Sequence, residues 1–485
     1  MANITSSIQE FSMRFPDKAA IVTNSQTLCY QDWYSLIAKT ASWLHTLPFS
    51  AKRIGFILPN GIPFLQLFAG ASMAGWTAVP FDLKWKDDEW KKRLRLSDPS
   101  IMITTKEYYH QMTPYHPFVL IWEDCLEEIL KKEQTIHIET NCSPPFYMGF
   151  TSGTTGDPKA FVRSHQSWAA SFLVNKHDFC MDEEEHVLIP GSLIHSHFLY
   201  GAVSTLCTGG TVHLLNKFSA AKSLSLLEAR AITTLYVVPT MISAILKEDR
   251  IIDKAIKIIS SGAKWDEQSK AEFYKSFPQA SMIEFYGASE LSYVTCLGDG
   301  KKADSVGKPC YGVEIEIRGT NNEKLEPYEI GKVHVRSDMI FDGYLYPEAK
   351  QPGSIQDEEG WATVDDMGYV DDEGYLYISG REKNMILYGA INIFPEEIEK
   401  VISQHPEVEE VAVIGLSDPY WGQITAAVIK GYASTLELKR LCKHHLAAYK
   451  VPRKWFYLDE MPYTTSGKIA RAKLRDSIES KVISY

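Results

Sequence analysis

The sequence predicts an α/β protein with a large N-terminal domain and a smaller C-terminal domain. The chain has 485 residues, of which 45% are hydrophobic. A chain of this length is longer than a single hydrophobic core usually supports. Before residue 310, short β-rich runs alternate with helix-like stretches, which is typical of parallel sheets with helical crossovers. The pattern changes after residue 310 and again near Arg381, so more than one domain is expected.

The N-terminal region carries the βα pattern. Its clearest predicted strands are RIGFIL (53–58), SIMITT (100–105), TVHLL (211–215) and TLYVVPT (234–240). Residues 61–75 and 221–231 have helical spacing. After residue 310, the alternating runs YGVEIEIRG and GKVHVRS predict an antiparallel sheet or a small β-barrel-like part.

The C-terminal region, from Arg381 onward, predicts a small α+β domain. In FPEEIEKVISQHP a proline precedes acidic first-turn residues, and Ile398, Val401 and Ile402 recur at helical spacing. VEEVAVIGL then follows as a strand. We therefore expect two domains, residues 1–380 and 381–485.

Composition excludes several classes of protein. The formal net charge of −11 argues against nucleic acid or an anionic membrane surface as the main partner. We find neither an N-terminal signal pattern nor a long apolar run, so a cytoplasmic protein without a membrane span is expected. The eight cysteines are scattered singly, which favours reduced, structural thiols. The mixed charges of KWKDDEWKKRLRL (84–96) indicate a solvated helix face.

The stretch TSGTTGDPKA (151–160) has the composition of an anion-binding loop. Glycines let the backbone wrap closely around a ligand, hydroxyls add donors, and Lys159 adds positive charge. The spacing is not that of the P-loop, because Gly153 and Gly156 are three residues apart and Lys159 follows Asp157-Pro158. By itself, the stretch also fits an ordinary surface turn.

Further motifs follow this loop in a fixed order. They are SSGAKW (260–265), EFYGASE (284–290), VGKPCYGVEIEI (306–317), GWATVDDMGYVDDEGYLYISGREKNMI (360–386), NIFPEEIE (392–399), YKVPR (449–453) and YTTSGKIAR (463–471). Together with the loop, they resemble the signatures of the adenylate-forming superfamily, which includes acyl-CoA synthetases, nonribosomal adenylation domains and luciferases. The resemblance covers some 320 residues, and the first 150 residues are similar but less diagnostic.

The resemblance implies an ATP-dependent acid–thiol ligase, most similar to an acyl-CoA synthetase. Such an enzyme uses ATP and Mg²⁺ to convert a carboxylic acid to acyl-AMP, then transfers the acyl group to coenzyme A. A free-standing adenylation enzyme that loads a carrier protein is the nearest alternative. An inactive nucleotide-binding regulatory protein is a third, against which Lys468 and Glu290 argue.

The resemblance also implies the nucleotide site. The family loop over the β- and γ-phosphates corresponds to Thr151, Ser152, Gly153, Thr154, Thr155, Gly156 and Lys159. Within YGASE, Glu290 corresponds to the Mg²⁺-binding glutamate, Ser289 replaces the usual threonine, and Gly287 precedes them. The adenine is expected beside Gly262, Ala263, Lys264 and Tyr286.

The ribose hydroxyls are expected to contact Asp366 and Arg381. Here the sequence departs from the family, which usually has Thr-Gly-Asp where this chain has Val364-Asp365-Asp366. Asp366 keeps the register of the flanking residues, so it is preferred to Asp365. The extra carboxylate of Asp365 is expected to weaken nucleotide binding.

The resemblance implies three functions for the C-terminal domain. Lys468 corresponds to the catalytic lysine that reaches the carboxylate and the α-phosphate, and Lys383 corresponds to the hinge of a mobile domain. Gly389 and Ala390 occupy the positions of a Ser-Gly pair beside the pantetheine tunnel. The register places Ala390 at the family glycine, so a slower thioester step is expected.

The resemblance implies an acyl pocket between the segment GSLIHSHFLYGA (191–202) and the stretch around YGASELSYV (286–294). Phe198 and Gly201 belong to a pattern with a parallel in aryl-CoA ligases, and the preceding His195 and His197 are unusual. Either histidine fits a contact with a polar or anionic acyl tail, but a hydrogen-bonded packing residue is favoured. The sequence does not choose among fatty, aromatic and dicarboxylic acids.

Overall fold

The computed structural model of the chain describes residues 3–134, 145–152, 158–262, 265, 267–298, 302, 304–346, 352–388, 391–418, 420–463 and 469–482. The α-helices, in chain order α1 to α14, are Ser6–Arg14, Tyr30–His45, Ile62–Met73, Asp87–Ser97, Tyr109–Met112, Trp122–Leu130, His165–His177, Ser196–Cys207, Ala220–Ala229, Pro239–Leu246, Glu267–Ser276, Pro395–Ile402, Thr435–His445 and Arg471–Val482.

The strands are likewise numbered in chain order. Strands β1 to β25 are Ala19–Val22, Thr27–Cys29, Arg53–Ile57, Thr77–Pro80, Ile101–Thr104, Val119–Ile121, Pro145–Ser152, Pro158–Ser164, His186–Ile189, Thr211–Leu214, Thr234–Val237, Lys257–Ser260, Ser281–Ala288, Ser292–Leu297, Lys308–Pro309, Glu314–Arg318, Gly331–Arg336, Gly343–Leu345, Asp366–Val370, Leu376–Arg381, Ile386–Tyr388, Ile391–Ile393, Val408–Asp418, Gly422–Gly431 and Lys454–Tyr457.

The chain divides into two compact units. The first contains residues 1–314 and 335–362, and the second contains residues 315–334 and 363–485. This division describes packing. The predicted boundary between residues 380 and 381 concerns which part of the chain moves, and it stays a prediction.

Two large sheets form the first unit. One has the strand order β15-β14-β13-β12-β11-β9-β10-β1-β2, with parallel pairing from β13 to β1, and the other has the order β18-β8-β7-β4-β3-β5-β6, with parallel pairing from β7 to β6. Their helices bury apolar faces; α3, for example, is apolar almost all round and almost entirely buried. The predicted βα organisation is confirmed.

The second unit contains two smaller sheets. Only the first residue of β16 and the last two residues of β17 are assigned to the first unit. One has the order β16-β17-β19-β20, and the other has the order β22-β21-β24-β23, with β25 on the far side of β24. Of the two alternatives predicted for the region after residue 310, the antiparallel sheet is confirmed and the β-barrel-like part is wrong. Among the described residues, the four strands form an open sheet whose outer strands β16 and β20 do not pair. A barrel requires its first and last strands to pair, which four short strands do not achieve here.

Helix α12 shows how local signals build the second unit. Pro395 occupies the first turn, where its missing N–H removes no helical hydrogen bond. The helix buries Ile398 and Ile402 against a core that includes Val413 and Val428 of the central strands. This confirms the helix predicted from the sequence.

The predicted solvated helix face is confirmed. The charged run becomes α4, which buries Trp90, Arg93 and Leu94 and leaves its lysines exposed. The described cysteines are free thiols, Cys142 lying outside the described residues. In the described part of the chain, no helix has both the length and the apolar character needed to cross a bilayer.

Candidate active site

The predicted phosphate loop joins two antiparallel strands. Thr151 at the end of β7 pairs with Lys159 near the start of β8, and Ser152 pairs with Pro158. The four other predicted residues of the loop, Gly153, Thr154, Thr155 and Gly156, lie outside the described residues. Since β7 is parallel to β4, its last residues, Thr151 and Ser152, lie at a carboxyl end of the sheet, where α/β proteins commonly bind ligands.

The YGASE segment ends β13 and turns into β14. Gly287 is required by close packing, because a Cβ there would lie 2.0 Å from the carbonyl oxygen of Ser292. Glu290 follows in the turn and is only 9% exposed. Its Oε1 accepts a hydrogen bond from the hydroxyl of Tyr344 on β18.

Tyr344 connects Glu290 with the phosphate loop. The Nζ atom of Lys159 lies 4.7 Å from the centroid of the Tyr344 ring, a cation–π distance. The fold therefore brings together Lys159 and Glu290, which are 131 positions apart and were both predicted as site residues. Tyr344 was not predicted. The only signal for it in the sequence is the Gly-Tyr pair before the next proline.

A buried arginine supports the turn that carries Glu290. Arg163 is 3% exposed, and its guanidinium donates to the carbonyl oxygens of Ser289, at 2.7 Å, and Met339, and to Oγ of Ser292 at 3.1 Å. Burial lowers the pKa of Arg163 to about 10, although nearby carboxylates, Asp342 foremost, oppose the change. The guanidinium stays charged at neutral pH. Sequence reasoning missed this residue.

The residues predicted beside adenine lie at the ends of adjacent parallel strands. Ser260 of β12 pairs with Glu284 of β13, so Gly262 and Tyr286 follow at the same edge of the sheet. Gly262 has φ +97°, a left-handed conformation that favours glycine. Ala263 and Lys264 lie outside the described residues.

The predicted ribose residues form a direct ion pair in the second unit. Asp366 begins β19 and is paired with Arg381 at the end of β20, and Nε of Arg381 lies 2.9 Å from Oδ1 of Asp366. Asp365, by contrast, has φ +62°, and its carboxylate contacts Nζ of Lys332 at 3.1 Å. Lys332 also binds Glu382 at 2.8 Å. The extra carboxylate, that of Asp365, therefore forms an ion pair with Lys332.

The other predicted residues of the second unit are only partly described. Lys383 is exposed in a 3₁₀ turn between β20 and β21. Lys468, Gly389 and Ala390 lie outside the described residues. The described residues on either side of Gly389 and Ala390, Tyr388 and Ile391, are an antiparallel pair of β21 and β22.

The histidines of the predicted acyl pocket differ. His195 is exposed, whereas Nε2 of His197 lies 3.0 Å from the carbonyl oxygen of Val237 and its ring centroid lies 5.3 Å from that of Tyr236. Burial lowers the pKa of His197 to about 4, so it is neutral at pH 7. The hydrogen bond and neutral charge are those of a packing residue.

Aromatic side chains fill the space around this histidine. Phe198 is 3% exposed and occupies the space beside Gly191. At Gly201, a Cβ would lie 3.0 Å from the Tyr236 ring, so glycine makes room for tyrosine. Whether these residues bind the acid stays a prediction.

Comparison with known proteins gives consistent matches. The family model described as AMP-binding enzyme matches residues 8–345, and that of the AMP-binding enzyme C-terminal domain matches residues 397–468. Among curated proteins, the uncharacterised acyl-CoA ligase YhfT of Bacillus subtilis is 47% identical over 470 residues, covering 96% of each chain.

Solved structures match over almost the whole chain. The o-succinylbenzoate CoA synthetase MenE of Bacillus subtilis, in complex with its acyl-adenylate intermediate OSB-AMP, has a TM-score of 0.89 at 25% identity and 98% coverage of both chains. The same enzyme in complex with ATP and magnesium ion has a TM-score of 0.88 at 25% identity, covering 98% of this chain and 100% of that one.

Proposed function

Because this chain belongs to the AMP-binding enzyme family, we propose that it is an ATP-dependent, AMP-forming acid–thiol ligase that joins a carboxylic acid to coenzyme A. In the first step, an oxygen of the acid attacks the α-phosphorus of ATP, and the bond to pyrophosphate breaks. In the second, the thiol sulfur of CoA attacks the acyl carbon, and AMP leaves with the bonding electron pair while the thiol proton is released to solvent.

The observation that carries this proposal is the placement of Lys159 and Glu290 around Tyr344, with Lys159 in the strand that follows the Gly/Thr-rich stretch of the sequence. A cation at the loop suits phosphate oxygens, and a buried carboxylate suits a hard metal ion. The described part of the chain contains no cluster of three or more His, Cys, Asp or Glu side chains that could by itself bind a metal ion. A single carboxylate fits Mg²⁺, which proteins usually bind through one or two carboxylates together with substrate phosphates and water.

Glu290 would hold the magnesium ion, which would supply positive charge to the leaving pyrophosphate. The chain itself does the rest of the positioning. Lys159 and the loop amides bind the phosphates, and Arg381 and Asp366 bind the ribose. Lys468 neutralises charge at the α-phosphate in the adenylation step, and Lys383 serves as the hinge. These assignments follow the positions of the family motifs.

We further propose that the enzyme acts in the cytoplasm, where ATP and CoA are available and thiols remain reduced. The free cysteines of the described residues agree with this location. MenE, with 25% identity, provides one candidate for the acid, o-succinylbenzoate.

The test is exchange of labelled pyrophosphate into ATP, measured with a panel of fatty, aromatic and dicarboxylic acids, followed by thioester formation with CoA. We expect exchange that depends on one class of acid and on Mg²⁺, and a CoA thioester from the same acid. Exchange without thioester formation on CoA would favour the carrier-protein alternative. Tight ATP binding without exchange by any acid would favour the inactive regulatory protein.

A further inference from the structure

Tyr344 lies between the two opposite charges of the proposed phosphate and metal site. We propose that Tyr344 is a positioning residue for adenylation: its ring holds the ammonium group of Lys159, its hydroxyl holds the carboxylate of Glu290, and the two charges are thereby kept from neutralising each other. This inference rests on the proposed function, because an ATP–Mg²⁺ complex is the ligand that needs both charges.

The backbone of Tyr344 is fixed on both sides. It pairs with Phe161 of β8, and on the other side its N–H donates to the carbonyl oxygen of Gly353 at 3.0 Å while the N–H of Gly353 donates back at 2.8 Å. The preceding Gly343 has φ +138°, and a Cβ there would lie 2.3 Å from the Gly353 oxygen. The side chain therefore starts from a rigid position that tolerates only glycine before it.

The strand register explains why the ring meets Lys159. Tyr344 is opposite Phe161, and Lys159 lies two residues before Phe161, so all three side chains share one face of the sheet. The diagonal neighbour across such a pair is within reach of a long side chain, which agrees with the 4.7 Å from Nζ to the ring centroid.

The hydroxyl contact brings no opposite charge to Glu290. A phenol O–H is a neutral donor, so it orients the carboxylate without cancelling a charge on it. Among the ion pairs of the described residues, none joins Lys159 to Glu290. Neither of these two charges therefore neutralises the other.

The test is calorimetric titration of ATP into the protein, with Mg²⁺ and separately with EDTA. In the wild type, Mg²⁺ is expected to tighten ATP binding. Tyr344→Phe keeps the ring and loses the hydroxyl. The increase in ATP affinity caused by Mg²⁺ should therefore become about 3- to 10-fold smaller, while ATP affinity in EDTA should be unchanged. Tyr344→Leu also frees Lys159 to pair with Glu290, so binding in EDTA should weaken as well.

Two controls separate positioning from general stability. Tyr346→Phe removes the hydroxyl of an exposed tyrosine two residues away and should leave both titrations unchanged. In a Glu290→Gln background, Tyr344→Phe should have no further effect, because the hydroxyl acts through that carboxylate. An equal additional loss in that background would overturn the proposal.

The remaining outcomes distinguish this inference from the proposed function. If the wild type shows a Mg²⁺-dependent gain and acid-dependent pyrophosphate exchange, but Tyr344→Phe keeps the full gain, the positioning role of Tyr344 is wrong and the proposed function stands. If the wild type shows neither gain nor exchange, the proposed function fails, and this inference fails with it.

Discussion

The two units arrange opposite charges in contrasting ways. In the first, the ring and hydroxyl of Tyr344 separate Lys159 from Glu290. In the second, Arg381 and Asp366 pair directly, with 2.9 Å between Nε and Oδ1. On the proposed function, the separated charges meet charged ligands, phosphate and magnesium, whereas the paired charges meet neutral ribose hydroxyls.

The physical reason is that a charge already neutralised by a neighbour binds an ion less favourably than a charge that is not. A charge that must bind an ion is useful only if it is not already neutralised, whereas hydroxyls need directed donors and acceptors rather than net charge. Arg381 holds the carboxylate of Asp366 in place and compensates its burial, since Asp366 is 6% exposed. Each arrangement thus fits the ligand proposed for it.

The largest expected effect is that of Glu290→Gln, which removes the charge and keeps the size. We expect adenylate formation at limiting Mg²⁺ to fall by about 100- to 1,000-fold, the usual range for losing a group that stabilises charge in the transition state. The measurement is acid-dependent pyrophosphate exchange over a range of Mg²⁺ concentrations, with thermal unfolding to check the fold. Unchanged exchange would remove Glu290 from the site.

Acid pH should destabilise the first unit through its buried histidines. His165 is 1% exposed, stacks on Phe146 at 4.6 Å between ring centroids, and burial lowers its pKa to about 4. Since the unfolded chain binds the proton near pH 6.5 and the folded chain does not, stability falls as pH drops below 6.5. From pH 7 to pH 5 the loss should be about 2 kcal/mol for this group.

Urea unfolding followed by tryptophan fluorescence at both pH values measures this loss. His165→Phe should reduce the pH dependence by that amount, although it also removes the acceptor for the N–H of Ile4. His444→Gln, at an exposed position of the second unit, should leave it unchanged. An equal pH dependence in wild type and His165→Phe would contradict the prediction.

Asp366→Asn tests the paired arrangement. The amide no longer compensates Arg381 and replaces one acceptor by a donor, so KM for ATP should rise about 10-fold, with less change in kcat. The preference for ATP over 3′-deoxy-ATP should fall by a similar factor, which a merely structural loss would not produce. Asp365→Asn, one residue away, is the matched control. Equal KM effects at both positions would exclude a specific ribose contact at Asp366.

The smallest effect is expected for Asp365→Gly, which restores the glycine common in relatives. At φ +62°, glycine is less strained than aspartate, so the free energy of unfolding should rise by about 0.5 kcal/mol. Because Lys332 already offsets the carboxylate, KM for ATP should stay within about twofold. ATP binding tightened more than about fivefold would instead show that this carboxylate repels the nucleotide, as the sequence predicts.

The fold was predictable where the signals are local. Strands β3 and β5 and helix α12 follow from apolar spacing and a first-turn proline, which act over a few residues. The barrel-like part was not predictable in this way. Closure depends on whether strands at the two edges pair, and alternation within each strand carries no information about that.

By itself, the sequence determined the family and the reaction class, since the order and spacing of the motifs are properties of the chain, and the comparisons confirm both. Only the tertiary structure decided how the charges are arranged. The hydrogen-bonded residues Tyr344 and Glu290 are 54 positions apart in the sequence. The corresponding separation is 126 positions for Arg163 and Ser289 and 33 positions for Lys332 and Asp365. Such partners are selected by sheet register and burial, which no short stretch of sequence specifies.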